Sequence, residues 1–258
     1  MFTDKDILAA LKGNISTNII VKDITRSTNL DVKALAATGA PEGTVVIAGE
    51  QTAGRGRLGR SFFSPKNAGL YMSILLRPEL AASDALAVTT CAAPAVCEAI
   101  ESVCNAKAGI KWVNDIYIDG RKVCGILTES VVDAHGRLDS AVLGIGVNVA
   151  DTAFPADIAD TAASLHISAD MRPQLAAAIL ERFFPYYRQL PEKAYLNEYR
   201  RRSILTGKYI EYEQAGIMHT AKVTGIDDEA RLIVADSTGN ELHLSSGEVR
   251  IIMRNTAE

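Results

Sequence analysis

The stretch from Gly109 to Val149 constrains the fold more than any other part of the chain. It holds three runs rich in β-branched and apolar residues: Gly109–Ile118, Arg121–Val132 and Leu138–Val149. Asp119-Gly120, between the first two, suits a tight hairpin, whose two central residues take positive φ. His135-Gly136 marks a second turn. Connections this short join antiparallel neighbours, so the three runs predict a meander. Helical patterns lie around it. The expected class is α+β, a mixed or antiparallel sheet flanked by helices, and not alternating βαβ.

The remaining patterns fill in that frame. Asp4–Lys12 carries Ile7, Leu8 and Leu11 at helical spacing, with Gly13-Asn14 as a stop. Ile19–Ile24, Thr44–Gln51 and Leu70–Leu76 read as strands. Asn29–Ala37 reads as a helix closed by Gly39 and Pro41. Ser83 caps a helix running to Cys104, with Pro94 as a kink. Residues 173–199 are helical, interrupted by Pro185 and Pro191. From Lys208 the pattern changes to short β-rich segments: Lys208–Glu213, His219–Ile226, Leu232–Ala235, Glu241–Leu244 and Val249–Ile252. Such close spacing predicts a small β-barrel. The chain therefore divides into residues 1–205 and 206–258, with the boundary at Thr206-Gly207.

Composition removes several classes. Hydrophobic residues make up 48% and charged residues 22%, enough apolar surface to fold. A formal net charge of −4 argues against a protein that coats nucleic acid by charge. No apolar run reaches the roughly 18 residues that a membrane helix needs. The N-terminus carries Asp4 and Asp6 where a secretory signal would be positive. Cys91, Cys97, Cys104 and Cys124 form no C-x-x-C pair and read as buried thiols of a reducing cytosol. His135, His166, His219 and His243 are scattered, so no structural zinc is expected.

The densest chemical signal is Gly54-Arg55-Gly56-Arg57-Leu58-Gly59-Arg60, directly after a strand. Glycines allow close backbone approach, and arginine forks match phosphate or carboxylate. The spacing is neither a P-loop nor a dinucleotide fingerprint, and Phe62-Phe63-Ser64-Pro65 blocks a following helix. At this level the loop reads equally as an anion cradle or a solvated basic loop. An Arg-Gly RNA-binding segment is a third reading.

Four further motifs stand out. Lys111-Trp112-Val113-Asn114-Asp115 sits in the first run of the meander, where alternation places Asn114 and Asp115 on opposite faces. Lys122 heads the second run, and Gly125 within it implies close approach of a ligand or backbone. Ser27-Thr28-Asn29 is either a helix cap or a set of ligand-binding groups. Gly144-Ile145-Gly146-Val147-Asn148 repeats the strand-glycine signal.

Taken in order, these motifs and Gln51 resemble the biotin–protein ligases. Gly225-Ile226-Asp227 and Ser246-Gly247-Glu248-Val249 resemble that family's C-terminal module, so the likeness spans residues 19 to 254. It implies a class II synthetase-like catalytic domain followed by an SH3-like barrel. It also implies ATP-dependent activation of biotin, with Mg2+, to biotinyl-5′-AMP. Biotin then passes to a lysine of a biotin carboxyl carrier domain. By the same resemblance, Ser27, Thr28, Asn29, Gln51, Gly54, Arg55, Gly56 and Gly125 belong to the biotin site. Arg60, Phe62, Asn114, Asp115 and Asn148 belong to the nucleotide site. Arg57 and Lys122 belong to both and are the catalytic cations. The metal's ligands are left unassigned.

Two departures are visible. Val113 stands where the family often has Pro, and Phe62 where some relatives have Trp. The residues before the first strand are too few for the DNA-binding domain that some members carry, so a short form without a DNA partner is expected. No membrane partner is expected, and a homodimer through sheet edges is within the family's range. Two rival readings remain: a lipoate–protein ligase, which shares the adenylate chemistry, and an RNA-binding protein using the Arg-Gly loop.

Overall fold

A computed structural model describes residues 2–13, 15, 17–78, 86–132 and 138–252. The Ser83 cap and the His135-Gly136 turn lie outside these residues. The main unit is a seven-stranded mixed sheet in the order β1-β2-β3-β7-β6-β5-β4. Its strands are β1 (Asn18–Lys22), β2 (Thr44–Ala48), β3 (Gly69–Leu76), β4 (Gly109–Lys111), β5 (Asp115–Ile118), β6 (Arg121–Val132) and β7 (Leu138–Asn148). Helices α1 (Asp4–Ala10), α2 (Thr28–Ala37), α3 (Leu86–Val103), α4 (Arg172–Arg188) and α5 (Leu196–Arg201) flank it.

The expected meander is present and longer than expected. Gly109–Ile118 is not one strand but the hairpin β4–β5, with Lys111 opposite Asp115 and a turn at Trp112-Val113-Asn114. The Trp112–Val113 peptide is cis. Because β4 ends at Lys111 and β5 begins at Asp115, Asn114 sits in the turn and not on the strand face opposite Asp115. The start of the chain makes the sheet mixed, within the expected class. β1 and β2 pair in parallel across α2, so one βαβ unit opens the fold. The connection from β1 to β2 is long enough for the helix that a parallel crossover needs.

Strand alternation separates two layers. Val45, Ile47, Met72, Ile74, Leu143 and Ile145 face the large core beneath α3 and α4. Val46, Leu75 and Val142 face the other side, where Val32 of α2 covers them. α2 packs on β2, β3 and β7. The α2-side face of β6 and β5 is left for the cleft described below.

Helix α3 meets the length and composition of a membrane span, with a mean hydropathy of 1.3, which corrects the reading that no segment does. It is 67% buried, with Val88, Cys91, Val96, Cys97 and Ile100 wholly inside the core. Its apolar character is that of a helix covered by a sheet on one side and α4 on the other. Pro94 and Pro185 both lie inside helices, whereas the segment holding Pro191 separates α4 from α5.

The C-terminal strands β8 (Tyr209–Gln214), β9 (Ile217–Ile226), β10 (Leu232–Ala235), β11 (Glu241–Leu244) and β12 (Val249–Ile252) form a second, antiparallel sheet in the order β11-β10-β9-β8-β12. It is tied to the β4–β5 turn: Trp112, 4% exposed, donates its indole N–H to Ala230 O at 2.9 Å. Tyr199 of α5 holds the same turn by donating to Val113 O at 2.9 Å.

Candidate active site

Two strands with small residues form the floor. Gly125 of β6 pairs with Gly146 of β7, and Leu127 with Gly144. Partners in register share a face, and this is the face that α2 leaves uncovered. The glycines are required by what lies on them. A Cβ on Gly146 would stand 2.6 Å from Phe62 Cε1, and one on Gly144 2.2 Å from Asn29 Oδ1. Phe62 thus lies on the glycine pair, and Asn29 reaches into the sheet.

Lys122 reaches this face through a bulge. Asp115 pairs with Gly125 and Ile116 with Cys124, but Tyr117 then pairs with Lys122, leaving Val123 as the extra residue. In a regular ladder, residues three apart point to opposite faces. The bulge instead puts Lys122 and Gly125 on one side and buries Val123 and Cys124 on the other. Lys122 Nζ lies 3.3 Å from where a Gly125 Cβ would be.

The arginine loop is a tight hairpin over the floor. Phe62 N donates to Gly54 O at 3.0 Å and Gly56 N to Arg60 O at 2.7 Å, with a bridge between Arg55 and Ser61. Gly54 cannot carry a side chain, because its Cβ would stand 2.4 Å from Phe62 O. Arg57–Gly59 forms a 3-10 turn. Arg57 donates to Asn114 Oδ1 at 3.0 Å. Asn114 Nδ2 donates to Ile126 O at 2.7 Å. The turn of the β4–β5 hairpin thus seats the loop's central arginine. Among the described residues Arg57 has no carboxylate partner.

The polar end of the cleft is built from buried groups. Ser27, Thr28 and Asn29 are each under 5% exposed. Ser27 occupies the N-cap position of α2, yet its side chain makes no capping bond. Gln51 Oε1 accepts from Thr28 N at 2.9 Å and lies 3.1 Å from Thr28 Oγ1. Gln51 Nε2 donates to Ser64 Oγ at 2.9 Å. Ser73 Oγ stands 2.6 Å from Asn29 Oδ1 and 2.7 Å from Thr28 Oγ1. An amide oxygen only accepts, so the single Ser73 hydrogen goes to Asn29.

These pieces enclose a cleft of about 360 Å³. It is lined by Ser27, Thr28, Asn29, Gln51, Arg55, Gly56, Arg57, Arg60, Phe62, Asn114, Asp115, Lys122 and Gly125. Those sequence-derived candidates are thus brought together. Gly54 and Asn148 are not in the lining. Gly54 shapes the loop's base, and Asn148 Nδ2 donates to Ala163 O at 3.0 Å, holding the segment beside Lys122.

Other groups were given no role from the sequence: Lys111 and Glu248 are in the lining of the cleft, and Glu129 and Ser73 lie beside it. Lys111 lies with its ammonium 5.6 Å from the Tyr117 ring centre, and burial holds its pKa below the usual lysine value. Glu248 of the second sheet pairs with Arg60 at 2.6 Å. Glu129 meets Lys33 and Arg55 at 2.7 and 3.1 Å. Burial alone would raise the Glu129 pKa, but hydrogen bonds from Lys33 and Asn29 and the nearby charges hold it below the usual range. Period-two counting from Gly125 reaches Glu129, and Ser73 is the one serine in a strand that is apolar but for Tyr71. Both signals were present in the sequence.

The arrangement suits joining an anionic carboxylate to an anionic phosphate. Several cations face a cleft whose floor is bare backbone, and buried amide and hydroxyl groups sit at one end. Of the two carboxylates lining the cleft, Glu248 is paired with Arg60, which leaves Asp115 as the candidate donor for a divalent cation. Asp115 Oδ1 is buried and 2.7 Å from Lys122 Nζ, yet has no aligned hydrogen-bond donor. Among the described residues no cluster of three acidic, histidine or cysteine side chains forms a metal site. This fits Mg2+, which takes one or two carboxylates and completes its shell from substrate phosphates and water.

Comparison with known proteins gives a consistent set of likenesses. Residues 21–148 match the Biotin/lipoate A/B protein ligase family. The chain is 34% identical over 249 residues to the bifunctional ligase/repressor BirA of Bacillus subtilis, covering 92% of this chain and 75% of that protein. It is 33% identical over 243 residues to the biotin–[acetyl-CoA-carboxylase] ligase of Mycobacterium tuberculosis, covering 87% and 85%. The match to the Bacillus spizizenii bifunctional ligase/repressor, 39% identical, spans about half of that protein, at 51%. Among solved structures, the Aquifex aeolicus biotin protein ligase in complex with biotin and ATP superposes with a TM-score of 0.77 at 27% identity, covering 93% of this chain and 100% of that one.

Proposed function

The chain belongs to the biotin–protein ligase family, and from that premise we propose that its cleft performs biotin activation and transfer. A biotin carboxylate oxygen attacks the α-phosphorus of ATP, and pyrophosphate leaves. The product is biotinyl-5′-AMP. A lysine amine of a biotin carboxyl carrier domain then attacks the acyl carbon, and AMP departs with its bonding electrons. The observation that carries this reading is the meeting of Arg57 and Lys122 in one cleft with Thr28 and Gln51.

Each group has a part set by its position. The buried Ser27, Thr28 and Asn29, with half-buried Gln51, suit the polar head of biotin. Arg57 and Lys122 neutralise the charge that builds as carboxylate and phosphate approach, in a partly desolvated cleft where such groups act strongly. Arg55 and Arg60, each paired with a carboxylate, flank Arg57 along the loop, and Gly56 between them closes its hairpin. Phe62, on the Gly125–Gly146 floor, offers a ring for the adenine, and Asn114 fixes Arg57. The loop covers the adenylate and keeps water from it until the carrier lysine arrives. Mg2+ would be held by Asp115 with the nucleotide phosphates, where it would offset the charge of the leaving pyrophosphate.

We read residues 1–205 as the catalytic domain, of class II synthetase-like form, and residues 206–258 as an SH3-like module. Gly247, Glu248 and Val249 of that module line the cleft, which supports a part in closing the nucleotide end. Incubation with biotin, MgATP and a carrier domain, followed by mass measurement of the carrier, tests the proposal. A gain of one biotinyl group is expected. An unmodified carrier, or transfer of lipoate in preference to biotin, would overturn it.

A further inference from the structure

Glu129 lies outside the binding and reacting groups assigned above, yet three donors converge on it. Lys33 Nζ is 2.7 Å and Arg55 Nη2 3.1 Å from Oε1, and Asn29 Nδ2 is 2.8 Å from Oε2. The Glu129 side chain is 15% exposed and that of Arg55 46%. Glu129 stands on the cleft face of β6, two pleats beyond Gly125 and opposite Val142. Contacts therefore run from Gln51 to Thr28, Ser73, Asn29, Glu129 and Arg55. The chain of contacts starts and ends in one loop segment, since Gln51 enters the loop and Arg55 belongs to it.

The charge on Glu129 matters more than its bulk. Two cations at one oxygen repel each other, and a carboxylate between them offsets that repulsion. A neutral amide of the same shape has one oxygen and presents its NH2 group to donors. Asn29 cannot turn its own oxygen toward such an amide without losing Ser73.

We propose that Glu129 is a positioning residue: it seats Arg55 and thereby couples the order of the Gly54–Arg60 loop to the Thr28–Asn29 end of the cleft. The ligand's name rests on the biotin reading, while the anchor rests on the contacts alone. A ligand held at Thr28 or Asn29 firms the network that seats Arg55. By linkage, a seated Arg55 raises affinity for that ligand.

The test is trypsin cleavage after the loop arginines, followed with and without biotin, beside biotin-dependent pyrophosphate exchange. Without ligand, the Glu129→Gln loop is expected to be cut about tenfold faster than wild type. Half-protection should need about tenfold more biotin, while exchange at saturating biotin and ATP stays within about twofold, since Arg57 and Lys122 are untouched. Arg55→Gln should be cut as fast as Glu129→Gln, and the double variant no faster than either. Lys33→Met, which leaves Glu129 to Arg55, should be cut as wild type. Wild-type cleavage and biotin dependence in Glu129→Gln, or additive effects in the double variant, would overturn the proposal. If Glu129→Gln does not fold, Arg55→Gln carries the test, and cleavage at the wild-type rate there overturns it. A wild-type protein without biotin-dependent exchange would sink the biotin reading, and ligand-free cleavage would then decide the anchor by itself.

Discussion

Lys122 Nζ lies 2.7 Å from Asp115 Oδ1, on adjacent strands, and a bulge at Val123 is what allows the meeting. Both side chains are roughly a quarter to a third exposed, at 32% and 23%, so the pair stands at the cleft wall and not in the core. The ammonium is held by charge without being fully satisfied, which leaves it able to turn to a substrate anion. Lys122→Ala should therefore leave the thermal midpoint within a few degrees of wild type. Biotin-dependent pyrophosphate exchange should fall by about 10²–10³-fold, the usual cost of removing one stabilising donor. An unchanged exchange rate would remove Lys122 from the reaction.

Arg57 stands on the loop, and its anchor is Asn114 Oδ1 at 3.0 Å. Arg57→Gly should keep part of the adenylation and lose its hold on the intermediate. Adenylate half-life on the enzyme, measured after rapid gel filtration, should shorten by about tenfold or more. Retention equal to wild type would reject a holding role for the loop.

Gly146→Ala places a methyl group 2.6 Å from the Phe62 ring, so the ring must move. The proposed biotin groups, Thr28 and Gln51, are at the other end of the cleft, so biotin should bind as before. The KM for ATP is expected to rise by about tenfold, reflecting a lost aromatic contact of order 1 kcal/mol and local overpacking. Equal weakening of biotin and ATP would place Phe62 elsewhere.

Glu198 supplies a pH test away from the cleft. A hydrogen bond from Arg201, with further help from Arg202, lowers its pKa to about 2 despite partial burial. A carboxylate depressed in the folded state adds stability above its unfolded value of 4.5, and that stability is lost as pH falls towards about 2. Glu198→Gln should therefore flatten the fall in thermal midpoint across that window and leave its slope at neutral pH unchanged. Thermal scans at a series of acid pH values measure it.

The sequence showed the chemistry of the cleft more readily than its geometry. The arginine loop and the strand glycines are unusual choices, because a side chain at Gly54, Gly144 or Gly146 would strike a neighbour. Such residues announce a site. What period-two reading could not supply was the bulge, which shifts every face assignment across Val123, or the turn at Asn114 inside an apparently continuous strand. Both depend on pairing with a partner strand, and no local pattern encodes it. Glu129 was hidden differently. A glutamate in a strand reads as a solvated edge until Lys33 and Asn29 of α2 and Arg55 of the loop are placed beside it.

Trp112 is the chain's single tryptophan, and its indole is buried at the seam between the β4–β5 turn and the second sheet. It also lines the cleft. The protein thus carries its one tryptophan fluorophore, excitable apart from the tyrosines, at the point where ligand occupancy and the joint between the two sheets converge. Its emission belongs at the blue end while the indole stays dry. A red shift would report the seam opening, and quenching without a shift would report filling of the cleft, with no label attached.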